Sequence, residues 1–191
     1  MTVAEQVLQI LRHTGALLDG HFLLTSGLHS AQYVQCARVL QYPQHAAALG
    51  QWIADGFRST AVDVVISPAI GGIVIGQEVA RARQVRALFG ERQQGVMTLR
   101  RGFEVLPGER VLVVEDVTTT GGSVREIIHL VRECQGTVVG VGTIMDRSGG
   151  RIDFTVPHHA LVTLVMQNYA PAECLLCQQG SQPEKPGSRQ P

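Results

Sequence analysis

Lysine is almost absent from this sequence. Lys185 is the only lysine among 16 basic residues, so every other basic residue is an arginine. A cation that chemistry requires in the body of the chain must therefore be an arginine or a histidine. Because an arginine holds its proton too tightly to act readily as a general acid, we expect such cations to act through their charge.

Other scarcities exclude several classes of protein. Four cysteines are too few and too scattered for a disulfide framework. The formal net charge is zero, whereas a nucleic-acid-binding domain normally carries a basic surface. No run of about 18 apolar residues is present, and the first residues lack the basic and apolar segments of a secretory signal. We therefore expect a cytoplasmic protein that binds neither membranes nor nucleic acid.

The chain contains enough apolar sequence for one folded domain. Hydrophobic residues make up 45% of its 191 residues and charged residues 17%, which is typical of a globular domain. We predict a single domain over residues 1–178. Residues 179–191 are rich in proline, glutamine, serine and glycine, and we predict that they form a flexible polar tail.

Short apolar runs alternate with amphipathic segments along the chain. Strands are predicted at residues 62–66, 85–89, 111–114, 138–145 and 161–165, and helices at 2–13, 44–58, 73–83 and 124–134. Residues 21–40 are predicted to be irregular or extended, and the polar residues 90–110 interrupt the alternation. This order predicts an α/β fold with a mostly parallel central sheet flanked by helices. Ligands bind at the carboxyl ends of the strands in such folds, here at residues 67–72, 115–123 and 146–150.

The most specific motif follows the predicted strand 111–114. It consists of two acids and a turn of hydroxyl residues and glycines that opens a helix: Glu115, Asp116, Val117, Thr118, Thr119, Thr120, Gly121, Gly122 and Ser123. The glycines let backbone N–H groups approach an anion, the hydroxyls add donors, and a helix N-terminus favours negative charge. The turn therefore suits a phosphate monoester, although it is neither a Walker A loop nor a dinucleotide-binding motif. A plain helix N-cap would explain one hydroxyl but not the whole set.

Glu115 and Asp116 narrow the choice of ligand further. Two carboxylates beside a phosphate would repel it unless they face hydroxyl groups, a metal or a developing positive charge. A ribose 5-phosphate meets that requirement through its vicinal hydroxyls.

The turn closely resembles the phosphoribosyl diphosphate (PRPP) motif of the type I phosphoribosyltransferases. Four further segments extend the resemblance over about residues 5–180. Residues 21–33 are similar to the N-terminal hood of the orotate phosphoribosyltransferases, which we place within residues 1–40. Residues 67–72 resemble the diphosphate loop, residues 97–103 the mobile loop, and residues 146–150 the turn that carries an orotate-binding arginine.

This resemblance implies the type I phosphoribosyltransferase fold and a Mg²⁺-dependent glycosyltransferase. The enzyme would join orotate to PRPP, releasing diphosphate and forming orotidine 5′-monophosphate for de novo pyrimidine biosynthesis. The Mg²⁺ would be held mainly by PRPP and not by the protein alone. A homodimer is implied, because the mobile loop in this family often reaches the neighbouring subunit's site.

The resemblance also implies a role for each matching residue. Residues 118–123 would bind the 5-phosphate, and Val117 would also contact PRPP. Glu115 and Asp116 would face the ribose hydroxyls and stabilise an oxocarbenium-like transition state. Orotate would be bound by Thr119, Arg147 and Tyr33. The diphosphate would be bound by Ile70, Gly71 and Gly72. Positive charge for catalysis would come from the mobile loop, residues 90–103, through Arg92, Arg100 and Arg101.

The chain departs from many orotate phosphoribosyltransferases in its missing lysines. Many members carry a lysine in the hood, another beside the diphosphate loop, and a lysine with a histidine in the mobile loop. This chain has Thr25 in the hood, Ile70 and Gly71 beside the diphosphate loop, and neither lysine nor histidine in residues 90–103. We therefore expect arginine to supply the charge, and the sequence leaves open which arginine dominates.

Two other functions stay open from the sequence. One is a type I phosphoribosyltransferase for another base. The other is a non-catalytic protein that senses PRPP or a nucleotide and regulates RNA or transcription, which the missing loop lysine favours. Cys174 and Cys177 have the spacing of a zinc or redox pair, but no second pair follows. We interpret them as ordinary thiols, since Cys134, His158 and His159 could join them only by chance of folding.

Overall fold

A computed structural model of the chain describes residues 1–24 and 26–186. Its larger sheet contains six strands, which are, from one edge to the other, β5 (Val96–Leu99), β4 (Arg86–Gln93), β3 (Val64–Pro68), β6 (Arg110–Thr118), β7 (Thr137–Asp146) and β8 (His158–Thr163). Neighbouring strands run parallel except for the pair of β4 and β5. The mostly parallel sheet expected from the sequence is therefore confirmed.

The central strands are apolar along their length because both faces of the sheet are covered. In β6, Val111, Leu112, Val113 and Val114 are all fully buried. Leu112 and Val114 pack with the helices α1 (Val3–His13), α3 (Pro43–Gly56) and α4 (Gly72–Arg83). Val111 and Val113 point to the other face and pack with α5 (Gly122–Glu133). The helices predicted by periodicity thus form the two outer layers.

A second, smaller sheet forms the hood. It contains β1 (Leu17–Leu23), β2 (His29–Val34) and β9 (Asn168–Tyr169), with β2 between the other two and antiparallel to both. A short helix, α2 (Ala37–Leu40), follows β2. Residues 21–40, expected to be irregular or extended, are therefore mostly a paired hairpin followed by a helical turn. Thr25 lies outside the described residues.

The predicted mobile loop differs from the expectation of irregular structure. Residues 90–99 form the end of β4, a two-residue turn and β5. The turn residues Gln94 and Gly95 both have positive φ, at 51° and 86°, which is the requirement of a tight hairpin turn whose twist matches the strands. The predicted loop is thus largely an ordered hairpin, and its irregular part begins after Leu99.

The carboxyl-terminal segment contacts the hood. After the helix α6 (Leu175–Gln178), the backbone N–H of Glu184 donates to His21 O at 2.8 Å, and that of Leu23 donates to Glu184 O at 2.7 Å. Glu184 therefore pairs with β1, and residues 187–191 lie outside the described residues. Within the described ranges, no helix is both long and apolar enough to cross a membrane.

Candidate active site

The turn between β6 and α5 borders a cavity of about 260 Å³. The cavity is lined by Arg92, Glu115 and Val117–Val124. Strand β6 extends to Thr118, four residues beyond the predicted end at Val114, because residues 115–118 continue to pair with β7. The acid pair therefore lies on a strand, and the turn proper begins at Thr119.

The turn is shaped to bring backbone N–H groups and hydroxyls to the cavity. Gly121 has a φ of 77°, and a Cβ atom there would lie 2.7 Å from the ring of Phe154, so only glycine fits. Thr118 Oγ1 is buried and has no hydrogen-bond partner among the described residues. A buried hydroxyl without a partner is costly, and a bound anion would satisfy it. These features support the predicted phosphate site.

Glu115 and Asp116 lie under the diphosphate loop. The backbone N–H of Asp116 donates to Glu115 Oε1 at 3.1 Å, and that of Val117 donates to Asp116 Oδ1 at 2.8 Å. A Cβ atom on Gly71 would lie 2.8 Å from Asp116 Oδ2, and one on Gly72 would lie 3.0 Å from Glu115 Oε1. The two glycines therefore let the loop approach the carboxylates closely, so the structure brings residues 71–72 and 115–116 together.

Burial raises the pKa of both carboxyl groups. The pKa of Glu115 rises to about 9, first because of burial and then because of the charge of Asp116. Burial also raises the pKa of Asp116 above its ordinary value. Neither group forms an ion pair within residues 1–24 and 26–186. The pair therefore retains a proton at neutral pH, unless positive charge or hydroxyl donors approach it.

Arg147 stands beside the phosphate turn at the end of β7. Its backbone N–H donates to Thr118 O at 2.8 Å, which links the two strand ends. Its Nε atom is buried and has no hydrogen-bond partner in the described part of the chain. Burial lowers the pKa of Arg147, while the nearby Tyr33 of the hood acts in the opposite direction. The charge of Tyr33 thus influences Arg147, and the orotate-binding role of both residues stays a prediction.

Asp146 holds the Arg147 turn and was missed by the sequence reasoning. Its buried carboxylate accepts hydrogen bonds from Ser148 N at 2.7 Å and Gly150 N at 2.9 Å. Burial alone would raise the pKa of Asp146, but these hydrogen bonds outweigh it and lower the pKa. An aspartate that precedes a serine and two glycines is a common sign of such a turn, so the signal was available.

The three loop arginines occupy different positions. Arg92 lines the cavity, and its guanidinium lies 2.9 Å from Glu126 Oε1. Arg101 donates to both carboxylate oxygens of Glu91, at 3.0 and 3.2 Å, and Arg100 lies 3.9 Å from the same carboxylate. Of the three arginines, only Arg92 is among the residues that line this cavity.

Comparison with known proteins identifies the family. The phosphoribosyl transferase domain family matches residues 36–155. The orotate phosphoribosyltransferases of Caldanaerobacter subterraneus subsp. tengcongensis and Pelotomaculum thermopropionicum are 55% and 54% identical over 185 residues, which is 97% of this chain and of each relative. The chain belongs to the orotate phosphoribosyltransferase family.

The solved orotate phosphoribosyltransferase of Mycobacterium tuberculosis H37Rv has the same fold. It superposes with a TM-score of 0.71 at 24% identity, covering 85% of this chain and 97% of the other. The family, the fold class and the expected phosphoribosyltransferase activity in pyrimidine biosynthesis are confirmed by these relatives. The individual roles of the site residues in this family member stay predictions.

The predicted diphosphate loop sits at the N-terminus of α4, opposite the acid pair. The Ala69–Ile70 peptide bond is cis, and the Ile70 side chain is 86% exposed. Ile70 can therefore contribute its backbone but has no packing role in this chain. Ser67 Oγ, at the start of the loop, is another buried hydroxyl without a partner among the described residues.

Proposed function

We propose that this chain transfers the 5-phosphoribosyl group of PRPP to orotate, forming orotidine 5′-monophosphate and diphosphate in UMP biosynthesis. The observation that carries the proposal is one cavity bordered by the predicted phosphate turn and by the buried Glu115 of the acid pair. Strand ends β6 and β7 place the turn and Arg147 next to each other. The 5-phosphate would occupy the turn formed by residues 118–123.

The acid pair would face the ribose of PRPP. Glu115 and Asp116 would accept hydrogen bonds from its vicinal hydroxyls, which favours the ionised carboxylates. As the bond between C1 and the diphosphate lengthens, positive charge develops on the ribose ring. Carboxylates already fixed by the backbone stabilise that charge without reorganising.

Orotate would be held by its carboxylate. The Arg147 guanidinium is half-buried and its Nε atom lacks a partner among the described residues, so a planar carboxylate could accept its fork of donors. Thr119 would add a hydrogen bond and Tyr33 would pack against the pyrimidine. Uracil lacks the carboxylate and would leave the arginine unpaired.

Diphosphate would be bound by backbone groups and by arginine. Ile70, Gly71 and Gly72 would present backbone N–H groups, and Arg92 would bring its charge into the cavity. Because arginine retains its proton, its contribution would be electrostatic stabilisation of the leaving group. The hairpin that carries Arg92 would also exclude water from the reacting centre.

Mg²⁺ fits the donors that the site presents. Glu115, Asp116 and the threonine hydroxyls offer oxygen atoms only, and Mg²⁺ prefers oxygen ligands and keeps waters and substrate phosphates in its shell. These two carboxylates would approach the ion together with the ribose hydroxyls, and PRPP would supply most of its ligands. The ion would neutralise charge on the diphosphate.

The enzyme would act as a homodimer in the cytoplasm. Arg100 and Arg101 pair with Glu91 and are not among the residues that line their own chain's cavity, so they are available to a neighbouring subunit. The polar substrates are metabolites of nucleotide synthesis, which supports the proposal of a cytoplasmic reaction.

Replacing Arg147 with alanine tests the assignment of the orotate subsite. We expect affinity for orotate to fall roughly 10- to 100-fold, because a charge-assisted bidentate contact is lost, while PRPP affinity changes less than about threefold. Isothermal titration with each substrate measures both. Arg132→Ala, an exposed arginine on α5, is the matched control. An equal loss for both substrates would contradict the assignment.

A further inference from the structure

Four side chains with metal-binding atoms converge away from the active-site cavity. His21 lies in β1, His29 in β2, Cys174 immediately before α6, and Cys177 within α6. Their ligand atoms all lie within 4.8 Å of one another. The histidines and cysteines are far apart in the sequence, so only the fold brings them together.

Four distances between these ligand atoms lie within a few tenths of an ångström of those in a tetrahedral zinc site. His21 Nε2 lies 3.0 Å from His29 Nδ1, 3.4 Å from Cys174 Sγ and 3.7 Å from Cys177 Sγ, and His29 Nδ1 lies 3.3 Å from Cys177 Sγ. Zinc bonds of about 2.0–2.1 Å to nitrogen and about 2.3 Å to sulfur place tetrahedral N and S ligands about 3.5 Å apart. They place two nitrogens about 3.3 Å apart. The cluster therefore has room for an ion at its centre.

The surroundings orient and shield the ligands. His21 Nδ1 lies 3.1 Å from Ser181 Oγ, so an Nδ1–H that donates to this hydroxyl leaves the Nε2 lone pair facing the centre. His21, His29 and Cys174 are 7%, 5% and 1% exposed. Such an outer hydrogen bond to a histidine and such burial are typical of protein metal sites.

We propose that His21, His29, Cys174 and Cys177 bind one Zn²⁺ ion. Each thiol releases its proton to solvent on binding, and four bonds to zinc form without oxidation or reduction. Two thiolates and two neutral imidazoles make the complex electrically neutral, which suits its burial. Four protein ligands complete the tetrahedral shell, so this is a closed structural site.

Zinc would fasten the hood to the carboxyl-terminal segment. The strands β1 and β2 form a hairpin, and β9 adds only two residues to it, whereas small sheets of this kind are marginal without further support. The ion would join both strands of the hairpin to the segment 174–177. Residues 181–184 extend the same attachment through Ser181 and Glu184.

A disulfide between Cys174 and Cys177 explains the cluster less well. Both cysteines are free thiols in the structure. A disulfide would also leave His21 Nε2 and His29 Nδ1 facing each other across a buried space with no role for their orientation. The proposal also corrects the sequence expectation about these cysteines, since their neighbours are His21 and His29. His158 instead lies 3.1 Å from Thr143 Oγ1.

Metal analysis of the full chain, made without a histidine tag in zinc-containing medium, tests the proposal. We expect about one zinc per chain in the wild type and less than about 0.1 in Cys177→Ser and His29→Ala. Cys134→Ser, which removes a partly exposed thiol outside the cluster, should retain the metal. Chelation should lower the melting temperature by roughly 5–15 °C, and added Zn²⁺ should restore it.

A measurement on the wild type alone avoids dependence on the folding of the variants. Chelation should make two additional thiols reactive, and Zn²⁺ should protect them again. Co²⁺ added to the metal-free chain should give the intense absorption of a tetrahedral thiolate complex. The proposal is overturned if the reduced wild type takes up no Zn²⁺, if Cys174 and Cys177 are isolated as a disulfide, or if Cys134→Ser loses zinc equally.

Discussion

The environment of Glu115 and Asp116 favours different protonation states in the free protein and in the substrate complex. Burial opposes ionisation of both carboxyl groups in the free protein, so the pair retains a proton. Ribose hydroxyls and cationic charge would favour the ionised form when substrate is bound. The proton is therefore expected to leave as PRPP and Mg²⁺ bind, which prepares negative charge where the transition state becomes positive.

The raised pKa of Glu115 makes stability depend on pH. Its folded-state pKa is about 9, whereas its ordinary value is 4.5, so the folded chain binds a proton that the unfolded chain loses. The associated stability is present below pH 4.5 and is lost as pH rises to about 9, at up to about 1.4 kcal/mol per pH unit. Glu115→Gln mimics the protonated group, so its melting temperature should rise relative to the wild type across this range.

Thermal melts of both proteins between about pH 5 and 9 measure this difference. Glu133→Gln is the control, because that side chain is 62% exposed and only pairs with His129. Parallel curves for the wild type and Glu115→Gln would contradict the raised pKa.

Asp116→Asn should separate chemistry from binding. It keeps the shape of the side chain but removes the charge assigned to the transition state, so we expect kcat to fall roughly 100- to 1000-fold. PRPP affinity should change less than about threefold, since the phosphate is held by the turn. Steady-state kinetics and calorimetric titration give the two values, with the exposed Asp153→Asn as control. Equal losses in both would refute the role given to Asp116.

The hairpin of β4 and β5 matters at the scale of elements because it carries Arg92 to the cavity. We expect Arg92→Ala to lower kcat roughly 10- to 100-fold through loss of charge at the leaving group, with Arg92→Lys retaining part of the rate. Arg86→Ala, on the same strand but paired with Glu109, should have little effect. Steady-state kinetics measure kcat for each variant, and an unchanged kcat for Arg92→Ala would show that this arginine has no role in the mechanism.

The success of sequence reasoning also differs between elements. The β-branched runs in the sequence correctly predicted the buried strands β3, β6 and β7. These runs are apolar because helices cover both faces of the strands. The hairpin of β4 and β5 was not predicted, because its polar residues lack the apolar alternation of a strand. Gly95 in its turn was nevertheless a usable signal. The hood sheet and the cluster of His21, His29, Cys174 and Cys177 depend on contacts between the two ends of the chain. Local sequence patterns carry no information about such contacts.

The same distinction holds for the active site. The phosphate turn and acid pair are contiguous in sequence, so their proximity follows from the motif. The position of Arg147 beside Thr118 depends on the pairing of β6 with β7. The influence of Tyr33 on the pKa of Arg147 depends on the fold of the hood. Which arginine reaches the cavity is a tertiary property, and the structure favours Arg92.

At the scale of the whole molecule, the dimer proposal makes a prediction about shared sites. Arg101→Ala and Asp116→Asn proteins, mixed so that subunits exchange, should recover up to about one quarter of the wild-type activity, because a mixed dimer contains one intact site. A mixture of Arg92→Ala with Asp116→Asn should gain no activity over the separate proteins, since both residues belong to the same chain's site. An inactive first mixture would show that Arg101 does not serve a partner.

We propose above all that this chain is selective for orotate and uses arginine in place of lysine in its loop. The most direct test follows the absorbance of orotate with PRPP and Mg²⁺, with uracil, hypoxanthine and adenine as parallel substrates. We expect that orotate alone is consumed and that chelating the metal abolishes the reaction. Tight binding of PRPP without turnover of any base would contradict it and would indicate a phosphoribosyltransferase fold that acts as a sensor.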